Sequence, residues 1–269
     1  MKKGFTIIEL LVVIAIIGLL SSVVLVSLDL PGKRRQANLA KTLEFSQTIQ
    51  SAIGDELVGS WTFENVAGGK TPDMSGYNNV GTIYGASQAD GLKLASGVGT
   101  GKALSFDGLD DYVSMGQILP VDKTTPFTFS AWAKPSTSSG WRTIVGNDGS
   151  YAQIGFYAYE GGLISFGQNG GGGWWLMGPA ATVGQWHYIV GTFDGANASL
   201  YVNGKLEAGP TAKSFTFDHR VSYIGRAFYA GEWMNGSVDE VRIYSKALTL
   251  AEIQKQYAAG AERHNIAQR

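Results

Sequence analysis

Glu9 is the residue that most needs a chemical reason. It lies inside the run from Phe5 to Leu28, where every other residue is apolar or small except Thr6 and the serines at 21, 22 and 27. About 20 apolar residues span a bilayer as a helix, so this run is long enough. A charged group inside hydrocarbon costs roughly 2.5–3.5 kcal/mol and is usually paired and functional. A plain anchor has no use for it. Lys2 and Lys3 orient the segment with its N-terminus toward the cytoplasm. A cleaved secretory signal is the competing reading. The run exceeds the usual ~7–15-residue apolar region, and no A-x-A-like site follows it.

Aromatic side chains form the second group that could do chemistry. Sugar sites use aromatic platforms with polar neighbours. Trp174 and Trp175 follow four glycines at 170–173, and Trp141, Tyr157, Tyr159, Tyr229 and Trp233 lie near turns. Adjacent residues on a strand point to opposite faces, so at most one of Trp174 and Trp175 belongs to a core. Core packing is the alternative fate of each ring, and it is the expected one for Trp61 and Trp186. Trp132 falls in the polar register of its strand and is expected off the core.

Oxygen donors are the third group. Asp73, Asn78, Asn79, Asp107 and Asp239 are hard donors of the kind Ca²⁺ takes in sets of six to eight. Turn capping is the alternative for Asp73 and Asn78. Catalysis is not expected. A glycosidase needs two carboxylates across a cleft. The pairs Asp110-Asp111 and Asp239-Glu240 are adjacent and diverge on a strand, and Asp107 and Asp111 flank a turn at Gly108. No G-x-S-x-G, P-loop or H-E-x-x-H string occurs. Cysteine is absent, and the three histidines, His187, His219 and His264, have no ligand spacing.

These residues need elements to hold them. The formal charge of −1 gives no basic excess, so nucleic acid is not expected as a partner. Glycine makes up 37 of 269 residues, twice the usual ~7%. Short strand-like runs follow one another at 57–63, 80–84, 103–106, 112–115, 127–133, 143–145, 153–157, 163–166, 174–177, 187–193, 199–202, 221–224 and 238–244. Gly, Asn, Asp and Ser lie between them, as turns require. So many short strands indicate a sandwich or barrel. Phe127, Phe129, Ala131 and Ala133 alternate with Thr128, Ser130, Trp132 and Lys134, and Asn203-Gly204 marks a hairpin. Ala37 to Ile53 carries a sparse apolar stripe of helical spacing, and Pro31-Gly32 interrupts the helix before it. Lys33, Arg34 and Arg35 read as a solvated helix start. Near the end, Thr249 and Glu252 form a capping box, and the helix is expected to stop at Gly260 with a polar tail beyond Ala261.

Two resemblances sharpen this. The stretch K-K-G-F-T-I-I-E-L-L-V-V-I-A-I-I-G resembles the N-terminal signature of type IV prepilins and pseudopilins. The resemblance implies cleavage after Gly4 by a prepilin peptidase and N-methylation of Phe5. It also implies pairing of Glu9 with the terminal amine of a neighbouring subunit. A buried carboxylate and a buried ammonium each cost far less together than alone, so the pair would set the axial register. Many pilins have a proline near the 22nd mature position, where this chain has Val26.

The segments G-S-W-T-F-E-N (59–65), P-D-M-S-G-Y-N-N-V-G (72–81), G-K-A-L-S-F-D-G-L-D-D-Y-V (101–113), F-T-F-S-A-W-A-K-P (127–135), Q-W-H-Y-I-V-G-T-F-D-G (185–195), L-Y-V-N-G-K (200–205) and G-S-V-D-E-V-R-I-Y-S-K-A-L-T-L-A-E-I (236–253) resemble the laminin G-like, concanavalin A-like jelly roll. That resemblance implies a structural Ca²⁺ between Asp239 and the 72–81 loop, with Asp73, Asn78 and nearby Glu64 as its other ligands.

The expected protein is α+β. Residues 1–4 are a leader, and 5–54 a pilin helix whose first part, 5–30, spans the membrane or builds a filament core. Residues 55–260 are an all-β jelly-roll head with a short C-terminal helix, and 261–269 a tail. It is expected to lie in the cell membrane first, then in an extracellular filament, with other pilins as partners. The head is expected to bind a glycan or surface through Trp141, Tyr157, Trp174, Trp175 and Trp233. A minor pilin or secretion-system pseudopilin carrying a carbohydrate-binding module is the alternative.

Overall fold

A computed structural model describes residues 56–93, 100–118, 124–147, 153–157, 162–168, 173–215, 221–226 and 231–264. Gly4, Phe5, Glu9, the 5–54 helix, Tyr159, Tyr229 and the side chain of Tyr157 lie outside the described residues.

Among the described residues, sixteen strands and one helix follow one another: β1 (Leu57–Trp61), β2 (Lys70–Thr71), β3 (Gly81–Tyr84), β4 (Ser87–Lys93), β5 (Thr100–Asp107), β6 (Tyr112–Gly116), β7 (Phe127–Pro135), β8 (Arg142–Asn147), β9 (Gln153–Tyr157), β10 (Leu163–Gln168), β11 (Trp174–Ala180), β12 (His187–Phe193), β13 (Asn197–Val202), β14 (Lys205–Ala212), β15 (Ser222–Ile224), β16 (Asn235–Tyr244) and α1 (Leu250–Arg263). They build two eight-stranded sheets. The first runs β14-β13-β12-β7-β16-β5-β4, with β1 added beside β16, and the second runs β11-β10-β9-β8-β15-β6-β3-β2. This is a concanavalin A-like jelly roll.

The alternation of β7 works as its sequence requires. Phe127, Phe129, Ala131 and Ala133 are fully buried between the sheets. Phe127 meets Phe215 edge-on at 5.0 Å and Phe166 of the other sheet at 6.1 Å. Each such ring contributes roughly 1.5–3 kcal/mol by leaving water. Strand β16 is long because it serves two partners. Asn235–Val238 pairs with β5 and Val241–Tyr244 with β1. The register against β7 shifts between Asp239 and Arg242, where Glu240 has φ +47°.

The outward register of the first sheet is also buried, because α1 lies on it. The capping box forms as expected: Thr249 N donates to Glu252 Oε2 at 2.8 Å, and Glu252 N to Thr249 Oγ1 at 3.4 Å. Gly260 does not end the helix, which runs on to Arg263. A Cβ at position 260 would collide with the Trp132 indole, so this glycine marks a close approach of helix to sheet. Beyond it His264 is buried, stacked on Trp132 at 4.1 Å. Trp132 is thus off the core, as its register implies, and covered by the helix.

Strands β2, β4 and most of β14 escaped the sequence reading. β2 has two residues, and β4 and β14 are polar edge strands, so neither carries an apolar alternation.

Candidate functional site

The outer face of the second sheet bears Trp141, Trp175 and Trp233, and β11 divides the tryptophan pair between its two sides. Trp174 turns inward. It meets Phe215 edge-on at 4.7 Å and Phe166 at 6.1 Å, and its Nε1 donates to Ser214 O at 3.0 Å. It therefore shares no surface with Trp175, contrary to the expectation that both line a ligand site. Trp175 turns outward and meets Trp141 at 5.0 Å, the ring planes inclined by 56°.

Beside this contacting pair lies a shallow depression, too tight to admit a water molecule, floored by Thr143, Gln153, Gly155 and Ser165, with Arg142 beside it. Gly155 keeps the floor low, since a Cβ there would strike the Arg142 carbonyl. The floor is tied together. Thr143 Oγ1 donates to Gln153 Oε1 at 3.1 Å, and Ser165 Oγ to Gly155 O at 3.2 Å. The Gln153 amide in turn bonds the buried carboxyl of Glu232. Burial pushes Glu232 up to about 7, against the opposing pull of that hydrogen bond.

Arg142 leads from this depression to a second aromatic group. Its Nε donates to Ser139 O at 3.0 Å and its Nη1 to Trp233 O at 3.1 Å. Trp233 lies 6.1 Å from Tyr112, which stacks on Tyr84 at 4.5 Å and meets Tyr223 edge-on at 5.7 Å. The Arg226 guanidinium sits over Tyr112, Tyr223 and Trp233 at 4.9, 4.5 and 5.3 Å. Tyr157 is the last residue of β9. Sequence reasoning missed Thr143, Gln153, Ser165, Glu232 and Arg226. The alternation of Gln153 with Gly155 was the available signal for the floor, whereas Arg226 and Glu232 stand in segments with no pattern.

The residues named for calcium do not gather. Asp73 is saturated: Oδ1 accepts from Ser60 N at 2.8 Å and Ser75 N at 2.9 Å, and Oδ2 from Ser75 Oγ at 2.7 Å and Asn79 N at 3.0 Å. Asn78 occupies a left-handed turn position at φ +59°. The exposed Glu64 accepts from Lys102 N at 3.1 Å. Asp239 is fully buried, accepting from Glu240 N at 2.7 Å, with its other oxygen 3.5 Å from His264 Nε2. Four donors on one carboxylate and a histidine against another do not fit a shared ion. Among the described residues, three carboxylates converge only at Asp107, Asp110 and Asp111. That is turn chemistry, with Asp111 Oδ2 accepting from Asp107 N and Asp107 Oδ1 from Leu109 N, both at 2.8 Å.

Comparison with known proteins agrees with this architecture. Residues 106–254 match the family model of the concanavalin A-like lectin/glucanases superfamily, and residues 1–25 match the prokaryotic N-terminal methylation motif. Fimbrial protein EcpC of Eikenella corrodens is 31% identical over 109 residues, 40% of this chain and 70% of that protein. Among solved structures, domain 4 of AbnA, a GH43 extracellular arabinanase from Geobacillus stearothermophilus, superposes with a TM-score of 0.60 at 21% identity, over 74% of this chain and 97% of that one. The binding domain of Paraclostridial Mosquitocidal Protein 1 gives 0.58 at 16%, over 77% and 52%. A Trypanosoma rangeli sialidase gives 0.57 at 16%, over 77% and 33%. At these identities the structures attest the fold alone. With its family model spanning just over half its length and a methylation motif at its start, the chain belongs to the concanavalin A-like lectin/glucanases superfamily and joins that fold to a pilin-type N-terminus.

Proposed function

We propose that this chain is a pilin-like surface subunit whose head binds glycan without turning it over. One observation carries the binding part: Trp141 and Trp175 form a contacting, half-exposed aromatic pair above a polar floor, on the outer sheet face that α1 leaves uncovered. The exposed rings stack on the apolar face of a sugar while Arg142 at their side supplies hydrogen bonds, the usual division of labour in a ligand site. The structure of the arabinanase domain was solved in complex with arabinotriose, which lends the fold a precedent for sugar. Among the described residues Glu232 is the one carboxyl bonded to that floor, and hydrolysis requires two.

The methylation motif and the fimbrial relative support the other half. On this reading a prepilin peptidase cuts after Gly4, Phe5 is methylated, and Glu9 pairs with the new amine of the next subunit. The apolar segment leaves the inner membrane for the filament core, and the head faces outside. The test begins with filaments sheared from native cells and their subunits identified by mass spectrometry. An N-terminal peptide starting at methylated Phe5 is expected, and a peptide retaining Met1 would refute the assembly half. Abundance in the same sample separates a major pilin from a minor one. A glycan array on the full chain tests the head, with binding expected to vanish in Trp175→Ala.

A further inference from the structure

The treatment of positive charge differs between the two faces of the head. On the helix-covered side, Lys246 and Arg242 are neutralised, while Lys134 lies over the Trp186 ring. Lys246 Nζ lies 2.7 Å from Glu56 and 2.9 Å from Glu252, and Arg242 lies 3.2 Å from Glu240. On the open face no carboxylate of the described residues partners Arg142 or Arg226. Arg142 bonds only the carbonyls of Ser139 and Trp233, which fix its Nε and Nη1 without cancelling its charge. Arg226 is held by three aromatic rings, and its buried Nε has no acceptor. Lys70 adds to the same face, since it pairs opposite Thr82, Thr82 opposite Ser114, and Ser114 opposite Tyr223. The acidic group tied to the floor is Glu232, which burial drives toward its neutral form. The carboxylates of the Asp107–Asp111 turn make no ion pair with either arginine. A chain of formal charge −1 thus gathers unneutralised cations beside the rings of its open face.

Resting on the glycan reading above, we infer that the glycan is acidic, carboxylated or sulfated, with Arg142 and Arg226 as the groups that meet its anions. A guanidinium offers a planar fork of donors that matches a carboxylate or sulfate. Ring faces hold the Arg226 fork in place before the ligand arrives, which lowers the ordering cost of binding. The positions fit a chain of sugars. Arg142 borders the Trp141–Trp175 depression, and its bond to Trp233 O joins that depression to the Arg226 cluster.

The test uses the full chain in detergent and four probes. These are a galacturonate hexamer, its methyl-esterified counterpart, a heparin-derived hexasaccharide, and its desulfated counterpart. At least one acidic probe is expected to bind roughly tenfold tighter than its neutralised counterpart, with the advantage shrinking as salt rises. Which of the two prevails tells carboxylate from sulfate. Arg226→Gln and Arg142→Gln should each remove most of that advantage. Arg226→Lys should keep part of it, which a merely structural role would not predict, and an unchanged melting temperature excludes misfolding. Equal binding of acidic and neutralised probes would overturn the acidic inference while leaving the glycan reading intact. Tryptophan-dependent binding to neutral glycans alone would do the same. Binding to no glycan at all would sink both.

Discussion

Both sheets of the head turn aromatic side chains outward, and the two faces have different fates. On the first sheet Trp132, Tyr188 and Tyr244 point away from the core yet are fully buried. Trp132 stacks on His264 at 4.1 Å and on Tyr257 at 5.8 Å, and Gln256 Oε1 accepts from the hydroxyls of Tyr188 at 2.7 Å and Tyr244 at 3.2 Å. On the second sheet Trp141, Trp175 and Trp233 remain half-exposed, and Tyr84 is 46% exposed. Strand register alone does not distinguish these rings. What separates them is where the chain goes after β16: α1 returns across the first sheet, and no helix of the described residues returns across the second. A covered aromatic face is structure, and an uncovered one with a hydrogen-bonded polar floor is available to a ligand.

The largest expected effect lies on the covered face. Trp132→Ala removes a fully buried indole that α1, Tyr188 and His264 all touch, and should cost about 3–5 kcal/mol. Urea unfolding followed by head fluorescence would measure it. A loss under about 1 kcal/mol would mean that the helix is a loose cover and that the two faces differ less than their packing suggests.

Next come the two neighbours on β11, which should respond in opposite ways. Trp175→Ala should lower glycan affinity by roughly tenfold or more, as loss of a central aromatic anchor does, and leave the unfolding midpoint nearly unchanged. Trp174→Ala should lower stability by a few kcal/mol, because its ring packs on Phe215 and Phe166. If both variants lost binding equally at unchanged stability, the inward assignment of Trp174 would be wrong.

Acidity probes the covered face differently. His264 Nδ1 must donate to Gly260 O at 2.9 Å, so its Nε2 faces the Asp239 carboxyl, and a proton between them is what keeps the pair from repelling. Burial raises Asp239 from 3.8 to about 7. The folded head therefore holds a proton there that the unfolded chain gives up near pH 4. This contribution is full below that point and is lost as pH rises toward about 7. Asp239→Asn cannot titrate, so the stability of wild type relative to this variant should fall between pH 4 and pH 7. A flat difference would show that Asp239 is ionised throughout.

Much of this was legible in the sequence, and the reasons for the remainder are physical. The strands from β5 to β13 announce themselves because apolar residues recur on one face of Phe127 to Ala133 and run through much of His187 to Phe193, both buried throughout. The opposed faces of Trp174 and Trp175 follow from adjacency on a strand. Contacts distant in sequence leave no such trace. Nothing near Gly260 says that Trp132 waits beneath it, so the glycine reads as a stop. Nothing near Asp239 says that His264 comes back to it, so the aspartate reads as a metal ligand. The site is half legible for the same reason. Its rings stand beside turns, but its floor draws Thr143, Gln153, Ser165 and Glu232 from four separate segments.

The smallest effect tests whether the two faces are independent. Thr249 caps α1, and its hydroxyl lies 2.9 Å from Glu252 Oε2. Thr249→Ala should cost about 1 kcal/mol, the usual loss for an N-cap. Glu252 stays in place through Lys246, which also holds Glu56, so only the first turn should loosen. Amide exchange should speed up around Leu250–Ile253, with no change in glycan affinity at the Trp141–Trp175 depression. The core between the sheets is close-packed and holds one arrangement, so a frayed cap on one outer face has no second state to pass to the other. A shift in affinity in this variant would mean that the sandwich couples its faces and that the helix regulates the open one as well as covering its own.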